Sequence, residues 1–184
     1  MERTLDQYDV AAAQCRDVFL KKTKDYGTAW RILRPSSLTD QLYIKARRIR
    51  TLEETGQQRV ADGVEEEYCG LVNYSILAIM QLSLSEGTSL EMEVAEVARL
   101  YDDILRETRE LMMAKNHDYG EVWRDMRVSS LTDLILMKLL RIKQIEDNQG
   151  RTLVSEGLEA NYRDIINYAI FALIHLGEKK ENKS

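Results

Sequence analysis

Three clusters of polar residues have the types and spacing to handle a charged ligand. The first is Lys115, Asp118, Tyr119, Gly120, Trp123, Arg124 and Arg127. Flat aromatic rings can wall a base, and ammonium or guanidinium groups can neutralise phosphate. The second follows at once: Ser130, Thr132 and Asp133, then Lys138 and Arg141. At about 100° per helical residue, Asp133, Arg141 and Lys138 fall at about 0°, 80° and 140°, one broad face of an otherwise apolar segment. Cations there must reach solvent or meet an anion. The third is acidic: Glu156, Glu159, Asp164 and Asn167. Carboxylates of this kind suit Mg²⁺, which polarises a phosphoryl group and activates water. Glu156, Glu159 and Asp164 are the candidate metal ligands, with Glu159 and Asp164 in the catalytic role.

Each cluster also has a structural account. Glycine after a lysine-rich helix end is a C-terminal cap, and Tyr and Trp can fill a core. Asp133 fits position N3 of a capping box begun by Ser130. The acidic turn suits a helix N-terminus. Packing explains Gly120 and Trp123 well, and it explains Lys115, Asp118, Arg124 and Arg127 less well. No Ser/His/Asp or Cys/His nucleophile pattern and no glycine-rich phosphate loop is present.

These groups occur twice. Residues 22–49 and 115–142, offset by 93, are identical at 15 of 28 positions. Lys22, Asp25, Tyr26, Trp30, Arg31, Lys45 and Arg48 are therefore equivalent candidates for ligand binding. Beyond Gly56 and Gly150 the offset becomes 94, which sets Glu65 opposite Glu159 and Asn73 opposite Asn167. Asp164, however, lies opposite Gly70. The second copy thus carries the fuller set, unless Glu65, Glu66 and Glu67 compensate in the first.

The elements that position these residues read as helices. Apolar residues recur at three- and four-residue steps over about 4–24, 37–54 and 65–83, and again over about 90–116, 131–147 and 157–177. Thr4 with Gln7, Ser37 with Asp40 and Ser130 with Asp133 read as capping boxes, and Pro35 as the end of a loop. Asp62-Gly63 reads as a loop, Ser85–Ser89 as the linker, and the tail from Glu178 as frayed. No window alternates as a strand does. The expectation is an all-α fold of two tandem three-helix units, 1–87 and 88–184, packed about a pseudo-two-fold axis. The apolar last helices, Ile165-Ile166 and Ala169-Ile170 above all, are the expected shared interface, and homo-oligomerisation stays open.

Composition narrows the partners. The 26 basic and 31 acidic residues are mixed along the chain, and a net charge of −5 offers no basic field for nucleic acid. A small phosphate ligand needs only local cations. Cys15 and Cys69 lack metal-ligand spacing, which fits a reducing compartment. No stretch approaches the ~18 apolar residues of a membrane span, and no apolar signal region opens the chain. A cytoplasmic protein without membrane partners is expected.

The run K-x-x-D-Y-G-x-x-W, then S-x-x-D-x-x-x-x-K-x-x-R-I, then D-x-x-N-Y-A resembles the nucleotide-modification-associated domain, type one, in two copies. That resemblance implies a role near modified or non-standard nucleotides. More loosely, the sequence is similar to all-α nucleoside triphosphate pyrophosphatases of the MazG and dimeric dUTPase kind. These use helical carboxylates and Mg²⁺ to cleave between the α- and β-phosphates. The pattern departs from theirs, since D-x-x-N replaces E-x-x-D and Glu156/Glu159 precedes the last helix. The leading expectation is a Mg²⁺-dependent nucleotide-binding protein, with pyrophosphohydrolysis of non-canonical nucleotides as its catalytic version. The alternative is a non-catalytic helical scaffold whose repeated polar residues fix helix register.

Overall fold

The computed structural model describes residues 1–57, 63–84, 87–154 and 156–182. Its helices are α1 (Glu2–Tyr26), α2 (Pro35–Thr55), α3 (Val64–Ser83), α4 (Val94–Tyr119), α5 (Val128–Asp147) and α6 (Leu158–Glu181). Short 3₁₀ turns at Ala29–Ile32 and Val122–Asp125 carry the two Trp-Arg pairs. No strand occurs among the described residues. The fold is all-α, as the apolar periodicity requires.

The predicted starts of three helices need correction. Arg34 and Arg127 are extended, with ψ near 151° and 145°, and α2 and α5 begin directly after them, so Ser37 and Ser130 lie inside the first turn and make no cap. Pro35 is the first helical residue, where its missing N–H and fixed φ cost nothing. Likewise α1 begins at Glu2, and Thr4 is buried within it. At the other ends, Gly27 and Gly120 have φ of 62° and 72° but ψ of −143° and −176°. This is a glycine-only extended conformation, different from the left-handed cap expected there. α6 continues to Glu181, past the predicted fraying point. Asp62 and part of the predicted linker, residues 85–86, lie outside the described residues.

Each helix packs with its repeat counterpart. The α3/α6 pair forms the middle layer, α2 and α5 cover one side of it, and α1 and α4 cover the other. The most apolar helices are therefore covered on both faces, which is why Leu71, Val72, Ile76, Ile165, Ile166 and Ile170 are fully buried. One continuous core takes side chains from both units.

Paired polar contacts cross between the units. Tyr8 donates to Asn167 Oδ1 at 2.8 Å, and Tyr101 donates to Asn73 Oδ1 at 2.8 Å. Thr39 donates to Glu146 at 2.7 Å and lies 2.7 Å from the Tyr162 hydroxyl. Thr132 repeats this with Glu53 at 2.8 Å and Tyr68 at 2.7 Å. Arg16 with Asp102 and Arg109 with Asp9 form another reciprocal pair. A contact between residues i and j that is matched by one between their counterparts j and i is the signature of a two-fold relation.

Candidate functional site

In each unit, the site is built where the first helix, the second helix and the third helix meet beside the Trp-Arg turn. The two copies solve the same charge problem differently. In the second unit, Asp164 on α6 accepts Lys115 Nζ on one oxygen and Lys138 Nζ on the other, both at 2.6 Å. Asp164 and Lys138 are buried, while Lys115 is half-exposed. Burial would depress the Lys115 ammonium, but its hydrogen bond to Asp164 and the carboxylate's charge outweigh that and hold it above the ordinary lysine value. Burial, then the Asp164 charge, pushes the Tyr168 phenol up.

In the first unit that aspartate is Gly70, and the carboxylate moves one turn back to Glu67. Glu67 is buried and pairs with Arg48 and, at 3.4 Å, with Lys45. The cations left over differ accordingly. Lys22, the counterpart of Lys115, has no hydrogen-bond or ion-pair partner among the described residues, and neither has Arg141, the counterpart of Arg48.

The aromatic residues diverge too. Trp123 is 4% exposed and stacks on Phe171, with centroids 4.2 Å apart and planes 3° from parallel. His175 closes its edge and lies 3.0 Å from the Trp123 carbonyl. The first unit has Leu77 and Gln81 at those two positions. Trp30 is therefore half-buried without a stacked ring, and its Nε1, like that of Trp123, is buried without a partner. A cavity of about 740 Å³ opens here, lined by Phe19, Lys22, Tyr26, Trp30, Lys45, Gly70, Asn73 and Tyr74, with Glu65, Glu66 and Glu67 on one side. Sequence favours the second unit, yet this open volume lies in the first.

The other predicted residues are scattered. Tyr26 and Tyr119 are 75% and 73% exposed. Asp25 and Arg127 are exposed, and Asp118 lies 3.1 Å from its neighbour His117. Arg124 is a structural clamp: it donates to Thr4 at 2.6 Å and Gln7 at 2.7 Å, with its guanidinium 4.5 Å from the Trp123 ring. Arg31 bonds Gln81 and the Thr88 carbonyl. Asn167 and Asn73 serve the crossed tyrosine bonds and donate to the Thr108 and Cys15 carbonyls. Asp133 and Asp40 do not cap helices. They pair across the units with Arg50 at 3.6 Å and Lys143 at 2.9 Å.

The donor set does not fit Mg²⁺. Asp164 lies between two ammonium groups, Glu159 is held by Arg163 at 2.7 Å, and Glu156 stands exposed. No group of three or more His, Cys, Asp or Glu side chains placed to share a metal occurs among the described residues. Sequence reasoning named Glu67 only within the Glu65–Glu67 cluster that could compensate for Gly70, and it missed Phe19, Tyr74 and Leu77. The offset of 94 sets Glu67 opposite Asn161, so the one-turn exchange of a carboxylate was present as a signal.

The fold and site define a tandem-repeat helical protein with a mixed-charge aromatic cleft in its first unit, where the second unit places Asp164 between two lysines and Phe171 on Trp123. The chain belongs to the family described as nucleotide modification associated domain 1, whose model matches residues 22–82 and 115–176. Neither the curated proteins nor the solved structures searched gave a match.

Proposed function

We propose that the protein binds a nucleotide in the cavity of its first unit. One observation carries this reading: an open volume of about 740 Å³ is lined by a lysine without a counter-ion and a tryptophan without a stacking partner among the described residues. That size is within the roughly 300–1,000 Å³ of small-molecule sites. Lys22 and Lys45 offer charge for phosphate, and Trp30, Phe19 and Tyr74 offer surface for a base. The family's description, an association with nucleotide modification, is consistent with such a ligand. The second unit then serves as the rigid partner, its Lys115–Asp164–Lys138 bridge fixing α4, α5 and α6 in register. No hydrolytic step is assigned, because Asp164 and Glu159, the carboxylates expected in the catalytic role, are engaged by cations.

Thermal unfolding with a panel of nucleoside mono- and triphosphates tests the reading. A ligand at 100 times its Kd stabilises the native state by about 2.7 kcal/mol. For a chain of this size, that raises Tm by roughly 5–10 °C. The rise should shrink in Trp30→Ala and Lys22→Met. If no nucleotide moves Tm, or if both variants respond as the wild type does, the proposal fails.

A further inference from the structure

The second unit supplies from its own side chains two groups that the first unit's cavity lacks, a carboxylate between two lysines and a ring stacked on a tryptophan. We infer that these groups are an internal image of the ligand: the first unit takes a nucleoside monophosphate, with its phosphate between Lys22 and Lys45 and its base on Trp30. This rests on the nucleotide reading above and narrows it.

The anion half of the image is Asp164. Each of its oxygens meets one ammonium at 2.6 Å, as two oxygens of a phosphate would. The equivalent lysines, Lys22 and Lys45, both line the cavity, and Gly70 leaves the intervening position without a side chain. Lys45 now lies over that gap: a Cβ on Gly70 would sit 2.8 Å from its Cδ and Cε. The end of a lysine is flexible, so it can swing toward an entering anion.

The planar half is Phe171, stacked 4.2 Å from Trp123. Its counterpart Leu77 cannot stack, and the half-buried Trp30 lines the cavity. Asp164 and Phe171 are seven residues apart on α6, about 10 Å along the axis. A sugar joining base to phosphate bridges such a gap.

The charge favours one phosphate. A phosphate monoester brings a charge of about −1.5 to −2, enough for Lys22, which has no ion-pair partner among the described residues, and for Lys45, which is 3.4 Å from Glu67. Glu65, Glu66 and Glu67 line the same cavity and would repel the greater charge of a triphosphate.

Calorimetric titration of the full chain settles the matter, using 2′-deoxynucleoside 5′-monophosphates, the matching nucleosides and triphosphates, and inorganic phosphate. At least one monophosphate should bind once per chain, about tenfold or more tighter than its nucleoside, its triphosphate and inorganic phosphate. Gly70→Asp installs the missing carboxylate and should weaken that binding about tenfold or more while Tm is kept or raised. Leu77→Phe should weaken it by a smaller factor. Lys22 is exposed, so Lys22→Met should keep the fold and also weaken binding, which decides the case if Gly70→Asp misfolds. Undiminished binding by folded Gly70→Asp, a triphosphate preference, or two sites per chain overturns the inference and leaves the nucleotide reading standing. Failure of every nucleotide to bind overturns both.

Discussion

The two units share a backbone plan and differ in where one carboxylate sits. In the second, Asp164 lies between the lysines of α4 and α5 and satisfies both. In the first, Glu67 sits one turn earlier on α3 and satisfies Arg48 and Lys45, leaving Lys22 open. In the second unit, Arg141 has no hydrogen-bond or ion-pair partner among the described residues. Moving an acid by three residues thus changes which cation is free, and with Leu77 in place of Phe171 it turns a packed region into a cavity. Duplicated sequence can conserve a fold while dividing the labour between its copies.

The sharpest way to break this comparison is to remove the carboxylate from the closed unit. Asp164→Ala leaves Lys138 buried and Lys115 half-buried without a counter-ion, so urea denaturation should show a loss of about 3 kcal/mol. Gly70→Ala, at the equivalent position, should cost about 1 kcal/mol or less, or stabilise the helix. Equal losses at the two positions would mean that the ion bridge is not what distinguishes the units.

A smaller effect is expected from exchanging the aromatic residues. Phe171→Leu gives up the Trp123 stack and some packing, for a loss of about 1–2 kcal/mol by thermal unfolding. Leu77→Phe should be neutral or stabilising, because it fills space beside Trp30. A large loss from Leu77→Phe would show that the first unit's cavity cannot accept a ring there.

The crossed hydrogen bonds sharpen the comparison from the other side, since they are the same in both units. Thr39→Val and Thr132→Val should each cost about 1–2 kcal/mol in urea, by nearly equal amounts, as each leaves a buried tyrosine hydroxyl short of a partner. Unequal costs would place the asymmetry in the shared core as well as in the sites.

The smallest effect concerns pH. Burial raises the Glu53 and Glu146 carboxyls above the ordinary range, against the hydrogen bonds from Thr132 and Thr39. A raised folded-state pKa means that the native protein holds the proton more tightly than the unfolded chain. The ionisation cost is present above the folded pKa and disappears as pH falls below the ordinary value of about 4.3. Glu53→Gln and Glu146→Gln lack this cost, so their stability relative to wild type should improve as pH rises from 4 to about 7. A pH-independent difference would show that solvent screens both groups.

Much of this was legible beforehand, for identifiable reasons. Helix content followed from apolar spacing, and the duplication followed from the repeated Lys-x-x-Asp-Tyr-Gly and Ser-Ser-Leu-Thr-Asp runs. The substitution of Gly70 for Asp164 was visible as well. Its meaning was not, because sequence does not say whether an acid on a helix faces a metal or two lysines. The cap predictions failed at Ser37 and Ser130 because Pro35 and Val128 can begin a helix without a side-chain cap. Trp30 and Trp123 look identical in their motifs, and only a residue 47 or 48 positions later, Leu77 or Phe171, sets one free and covers the other.

The reciprocal Tyr8–Asn167 and Tyr101–Asn73 bonds carry an evolutionary consequence. Half of this chain alone would leave a tyrosine hydroxyl and an asparagine amide without these partners, which a symmetric pair of single units would supply to each other. In such a pair every mutation strikes both sites at once. Two copies in one polypeptide are free of that constraint, and they differ here at Asp164 and Gly70 and at Phe171 and Leu77.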